Sequence, residues 1–101
     1  MLVVTGRIEV KAGEMDALRE AASVMVAATL SEQGCDKYQF AVDMAEPRVI
    51  HLFEQWASGE ALAEHFTTSH FEVFTQVLLD AATGPAEFNR YDIASVGPLF
   101  G

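Results

Sequence analysis

The sequence predicts an α+β fold, an antiparallel sheet with its helices on one face in the ferredoxin-like order β-α-β-β-α-β. Three observations carry this. The apolar period switches between two and 3.6 residues along the chain. Glycine and proline breakers separate the periodic segments. A length of 101 residues suits a single hydrophobic core.

Leu2, Val4, Gly6, Ile8 and Val10 alternate with Val3, Thr5, Arg7 and Glu9, giving a strand with one dry and one mixed face. Ala12-Gly13 breaks it. From Glu14 the apolar residues Met15, Leu18, Ala22, Met25, Val26 and Leu30 recur at helical spacing, with Glu14 and Asp16 favouring the positive end of the macrodipole. Gly34 is expected to close this helix. Cys35 to Met44, rich in aromatic and branched residues, reads as a second strand; Asp43 to Pro47 as a turn; Arg48 to Trp56 as a third strand completing a hairpin. Ser58 is expected to cap a short helix reaching His65. Ser69-His70-Phe71-Glu72 has the form of a capping box, so the helix should restart there, with Phe71, Phe74, Leu78 and Ala81 as its stripe. Thr83-Gly84-Pro85 stops it, and Glu87 to Ile93 reads as the last strand. The expected organisation is one domain over residues 1–95 and a tail over 96–101.

Six Lys and Arg against fifteen Asp and Glu give a net charge of −9, which repels phosphate backbones and anionic lipid. Neither nucleic acid nor a membrane is an expected partner. Half the residues are hydrophobic, too many for a disordered chain and more than a small monomer easily hides. Apolar groups such as Tyr38, Phe40, Val42, Val49 and Phe53 fall on either side of the sheet, so two sheets packing back to back are expected, making a homodimer. The single cysteine, Cys35, offers neither a disulfide nor a zinc cluster and reads as a small buried residue. The N-terminus lacks the basic and long apolar segments of a secretion leader, and Ala21 to Ser31 is too short to span a bilayer. A cytoplasmic location is the expectation.

Four runs in order are distinctive: Glu32-Gln33-Gly34-Cys35, Phe53-Glu54-Gln55-Trp56, His65-Phe66-Thr67-Thr68-Ser69-His70-Phe71, and Thr83-Gly84-Pro85. Together they resemble the antibiotic biosynthesis monooxygenase domain of the dimeric α+β barrel group, over residues 2–93. The resemblance implies one of several activities. Members oxygenate anthrones and quinols without metal or flavin, others open haem, and one branch isomerises a phosphorylated autoinducer-2 ketone. Leu52 and Leu62 stand where the anthrone branch has asparagine and tyrosine, and Thr5-Gly6-Arg7 where the haem branch has its asparagine. The quinol branch is similar through Phe53 to Trp56 and His65. The isomerase branch is similar in the His-x-Thr-Thr-x-His run and in Thr83-Gly84-Pro85.

Trp56 offers an indole N–H and a flat wall for an aromatic substrate, and the resemblance implies a pocket tryptophan there. His65 is suited to move a proton near neutral pH, with His70 beyond the helix break. Glu54 reads as either a base with a raised pKa or the partner of a cation in the sheet, Arg7 being the candidate. Thr67 and Thr68 can hold a substrate oxygen, Tyr38 can form a wall, and His51 reads as a surface or interface residue. The three histidines have no Asp or Glu at ligand spacing, so no metal is expected, and no phosphate loop or nucleophile elbow is present. The reading is a cofactor-independent monooxygenase that uses dioxygen on a quinol-like or polycyclic phenolic molecule. His65 and Trp56 are its expected catalytic residues; Tyr38, Glu54, Thr68 and His70 its substrate-binding residues. An isomerase of a small phosphorylated ketone and a non-enzymatic dimer binding a small hydrophobic molecule are the alternatives.

Overall fold

Alternation in the first segment makes the strand on which the sheet is assembled. The computed structural model describes residues 1–101, with β1 at Leu2–Glu9, α1 at Met15–Leu30, β2 at Cys35–Val42 and β3 at Val49–Trp56. Then come α2 at Gly59–His65, α3 at Ser69–Ala81 and β4 at Glu87–Asp92. The strands pair antiparallel in the order β2-β3-β1-β4, the ferredoxin-like arrangement, so the two inner strands are β3 and β1.

One sheet face carries Leu2, Ile8, Tyr38, Ile50, Leu52 and Trp56, packed with Leu18 and Met25 of α1, Leu62 of α2, and Phe74 and Ala81 of α3 in one core. Register puts Arg7 opposite His51 and Thr5 opposite Phe53 on the other face, which no helix covers. That open face is mixed: Val3, Val49, Phe53 and Tyr91 lie among Thr5, Arg7, Gln55 and Asn89. The aromatic Tyr38 and Phe40 turn to the helices instead, because β2 follows the phase set by its pairing with Glu54 and Leu52.

Two helix boundaries differ from expectation. Helix α1 ends at Leu30, where the Ser31 N–H bonds back to Ala28, and Gly34 lies further on in the turn into β2. Gly34 has φ +89°, and a Cβ there would stand 2.6 Å from the Ala61 Cβ, so the turn and α2 meet in a space only glycine permits. Helix α3 is capped by Thr68, whose hydroxyl accepts from the Phe71 N–H at 3.2 Å, and not by Ser69. The extended backbone of Thr68 (ψ 152°) suits an N-cap, whereas Ser69 is already helical. Ser58 caps α2 as expected, accepting from the Ala61 N–H at 3.1 Å. No helix is long and apolar enough to cross a membrane.

Candidate active site: a carboxyl in an apolar cavity

The break between α2 and α3 leaves room between the helices and the sheet. A cavity of about 420 Å³ opens there, walled by Val4, Leu52, Leu62, Phe71, Leu78 and Phe88. Phe88 lies over Gly6, where a Cβ would come within 2.7 Å of its ring, so the small residue in β1 makes way for the wall. Among the lining residues Glu54 is the one charged group, and none is Lys, Arg or His. A second, more open apolar cleft of about 540 Å³ runs between α1 and β2; Ile8, Tyr38, Phe40 and Phe74 belong to both linings.

Glu54 is 5% exposed, and its Oε1 accepts from the Trp56 indole N–H at 2.8 Å. Burial pushes its carboxyl up to about 7; the indole donation pulls the other way, and the charge of Glu32 adds to the rise. The expected Arg7 partner is absent because alternation sends Arg7 to the open sheet face, paired in register with His51, while Glu54 sits opposite Val4 on the helix face. Tyr38 lines the same cavity, and burial followed by the Glu54 charge holds its phenol well above the usual range, so it stays neutral.

Trp56 and His65 lie beside each other, with ring centroids 4.9 Å apart, and both are almost completely buried. Neither belongs to the cavity lining. They stand behind the wall, with the Tyr38 and Phe71 rings 5.4 and 5.2 Å from His65. Glu32 Oε2 lies 2.7 Å from both His65 Nδ1 and His70 Nε2. An ionised carboxylate only accepts, so both rings donate to it, and neutral His65 carries its proton on Nδ1. Burial lowers the pKa of His65, opposed by its bond to Glu32. Its Nε2 is buried with no partner.

The remaining candidates lie elsewhere. Thr68 spends its hydroxyl on the helix cap and on the His65 carbonyl, at 2.7 Å, and Thr67 donates to the Glu64 carbonyl. His70 borders a groove between α1 and α3. His51 is a surface residue as expected, 2.8 Å from Asp43, whose carboxyl it holds down at about 2 with help from the Ala45 and Glu46 N–H groups. Cys35 is half-buried, and burial with the nearby Glu32 charge pushes its thiol up to about 11.

The profile of the antibiotic biosynthesis monooxygenase family matches residues 1–77. The chain belongs to this family. No curated protein matches it. Among solved structures it resembles Rv0793 from Mycobacterium tuberculosis at 26% identity, covering 93% of this chain and 98% of that one with a TM-score of 0.83. It is similar to PA3566 from Pseudomonas aeruginosa at 26% identity, over 92% and 94% of the two chains with a TM-score of 0.82. A proposed antibiotic biosynthesis monooxygenase from Deinococcus radiodurans superposes over all of both chains with a TM-score of 0.89 at 20% identity, a likeness of fold alone.

Sequence reasoning about this family member missed Glu32 and the cavity walls Leu62, Phe71 and Phe88. Glu32 stands in the distinctive Glu32-Gln33-Gly34-Cys35 run, but 33 and 38 positions from the two histidines that it joins, so spacing along the chain carries no signal. Contrary to the expectation from spacing, a carboxylate does lie against two of the histidines, His65 and His70. Phe71 reads equally as a core residue from its helical spacing.

Proposed function

We propose that this chain is a homodimeric, cofactor-independent monooxygenase that oxidises a quinol-like or other electron-rich phenolic molecule in the 420 Å³ cavity, with Glu54 as its proton acceptor. The observation that supports it is a lone buried carboxyl, pushed up to about 7 by that burial, on the wall of an apolar aromatic chamber. A base is most effective when its pKa lies near the working pH. Glu54 takes the phenolic proton, and the resulting anion passes one electron to dioxygen. The substrate radical and superoxide combine to form a C–O bond and a peroxide. Glu54 returns its proton to the peroxide, and loss of water with the hydrogen of the same carbon leaves one oxygen on the product as a carbonyl and the other in water. The protein supplies orientation, a proton acceptor and a dry chamber. Tyr38 and Phe71 form walls for the ring, and Trp56 positions the carboxyl through its indole N–H. His65 braces that indole from behind.

A phosphorylated ketone is a poorer fit, because the chamber offers a carboxylate and no cation to a phosphate. The homodimer is supported by the open sheet face, where Phe53 is half-buried and Tyr91 is exposed. A single free cysteine suits the reducing cytoplasm. The test is an oxygen-electrode screen of the purified chain against quinols and anthrones, with a chelator present. Oxygen uptake that depends on substrate and disappears in Glu54→Gln is expected. Binding of such compounds without uptake would make the chain a carrier, and uptake unchanged by Glu54→Gln would remove Glu54 from the reaction.

A further inference from the structure

We propose that Glu32, His65 and His70 form a binding site for one divalent late transition-metal ion, of the zinc, nickel and copper class. His65 Nδ1, His70 Nε2 and a Glu32 carboxylate oxygen all lie within 4.8 Å of one another. Both imidazole nitrogens already stand 2.7 Å from the same Oε2, so a small opening of the cluster admits an ion in place of the two N–H···O bonds. Two imidazoles and one carboxylate suit borderline ions; magnesium and calcium would want more oxygens. The three ligands come from the turn after α1, the last residue of α2 and the first turn of α3. An ion there clips together the three segments that meet at the helix break.

Burial grades across the cluster in the sense a metal site needs. The His65 side chain is 1% exposed and makes a fixed floor, while those of Glu32 and His70, at 14% and 21%, leave an entry path and room for water ligands. The unpartnered Nε2 of His65 is the second observation. Without an ion, that nitrogen is an acceptor lone pair buried among the Tyr38, Trp56 and Phe71 rings. Ligation through Nδ1 moves the ring proton to Nε2, which removes the unmet lone pair, and an N–H among aromatic rings can make weakly favourable contacts. The chain's net charge of −9 also raises the local concentration of cations. None of the three ligands lines the oxygenation cavity, so this site and the reaction proposed above stand or fall separately.

The chain's one tryptophan reports on the site, since its ring lies 4.9 Å from that of His65. Titration of the full chain with nickel chloride should quench Trp56 fluorescence to saturation at one ion per chain, and added zinc chloride should reverse the quenching by competition. His70→Ala and Glu32→Gln should each weaken nickel binding by at least ~10-fold, the lower end of what losing a supporting group costs a metal site. His51→Ala and Glu54→Gln should leave it unchanged, the latter even if it abolishes oxygen uptake. Glu32→Gln keeps shape and hydrogen-bonding capacity, so it serves if His70→Ala unfolds. Absence of saturable quenching would overturn the proposal. So would Glu32→Gln binding nickel as tightly as the unaltered chain, or loss of binding in His51→Ala.

Discussion

Glu54 has one hydrogen-bond donor and no counter-ion, and its behaviour with pH follows from that poverty. Below about pH 4.5, its ordinary value, it is protonated whether the chain is folded or not. Between there and about 7 the unfolded chain has released the proton while the folded chain still holds it, so stability falls as pH rises. Above 7 the loss is complete, at roughly 3 kcal/mol by the pKa difference. Glu54→Gln should flatten this slope in chemical-denaturation series at pH 5 and 8 and recover most of the loss at pH 8. In the same variant, turnover should drop by ~10²-fold or more, as removal of a general base does. Stability would thus be gained where function is lost. Trp56→Phe removes the indole donation that now holds the carboxyl down, so the rise of activity with pH should move to higher pH, and stability should drop by ~1 kcal/mol. A purely structural Trp56 would change melting and leave the pH profile in place. The residue types of this site were legible in the sequence: Tyr38, Glu54, Trp56 and His65 all lie at or against the cavity. Which of them faces the cavity was not legible, because one residue of phase on a strand and one turn on a helix decide it. Trp56 and His65 stand behind the wall, and Glu54 forms part of it.

At the scale of elements, alternation and breakers located every strand and helix, since each apolar face has one partner layer to meet. The ends were read less well, because a cap depends on one backbone dihedral that several neighbouring residue types can adopt. Thr68 and Ser69 are both good capping residues, and the extended conformation of Thr68 alone decides between them. Thr68→Ala should therefore cost ~1 kcal/mol in thermal unfolding, and Ser69→Ala only a few tenths. Equal effects would return the cap to Ser69. The Gly34 turn gives a sharper case. Gly34→Ala combines a left-handed backbone with a contact against Ala61 and should cost well over ~1 kcal/mol. Ala61→Gly in the same chain should recover the part due to the contact and leave the part due to the backbone.

For the whole molecule, one sheet face is buried under three helices and the other is open. Four strands about 4.8 Å apart, three of eight residues and one of six, present a flat area of order 500 Å². A stable interface usually takes about 800 Å² from each partner. The open face, mixed as it is, falls short by itself. In the proposed dimer the C-terminal tail is the candidate for the balance: Val96, Leu99 and Phe100 are 64%, 87% and 87% exposed, an apolar segment that gains from cover. Sedimentation equilibrium at micromolar concentration should give twice the chain mass. Phe53→Asp puts a charge at the centre of the face and should give a folded monomer, because the helix-side core is complete within one copy. Removal of residues 96–101 should weaken the dimer by about 10-fold or more, the equivalent of ~1.4 kcal/mol. Circular dichroism of the monomeric fraction should be unchanged, since the core holds no residue beyond Ala86. If the truncated chain dimerises as tightly as the full one, the tail is not part of the interface, and the sheet faces alone must hold the two copies together.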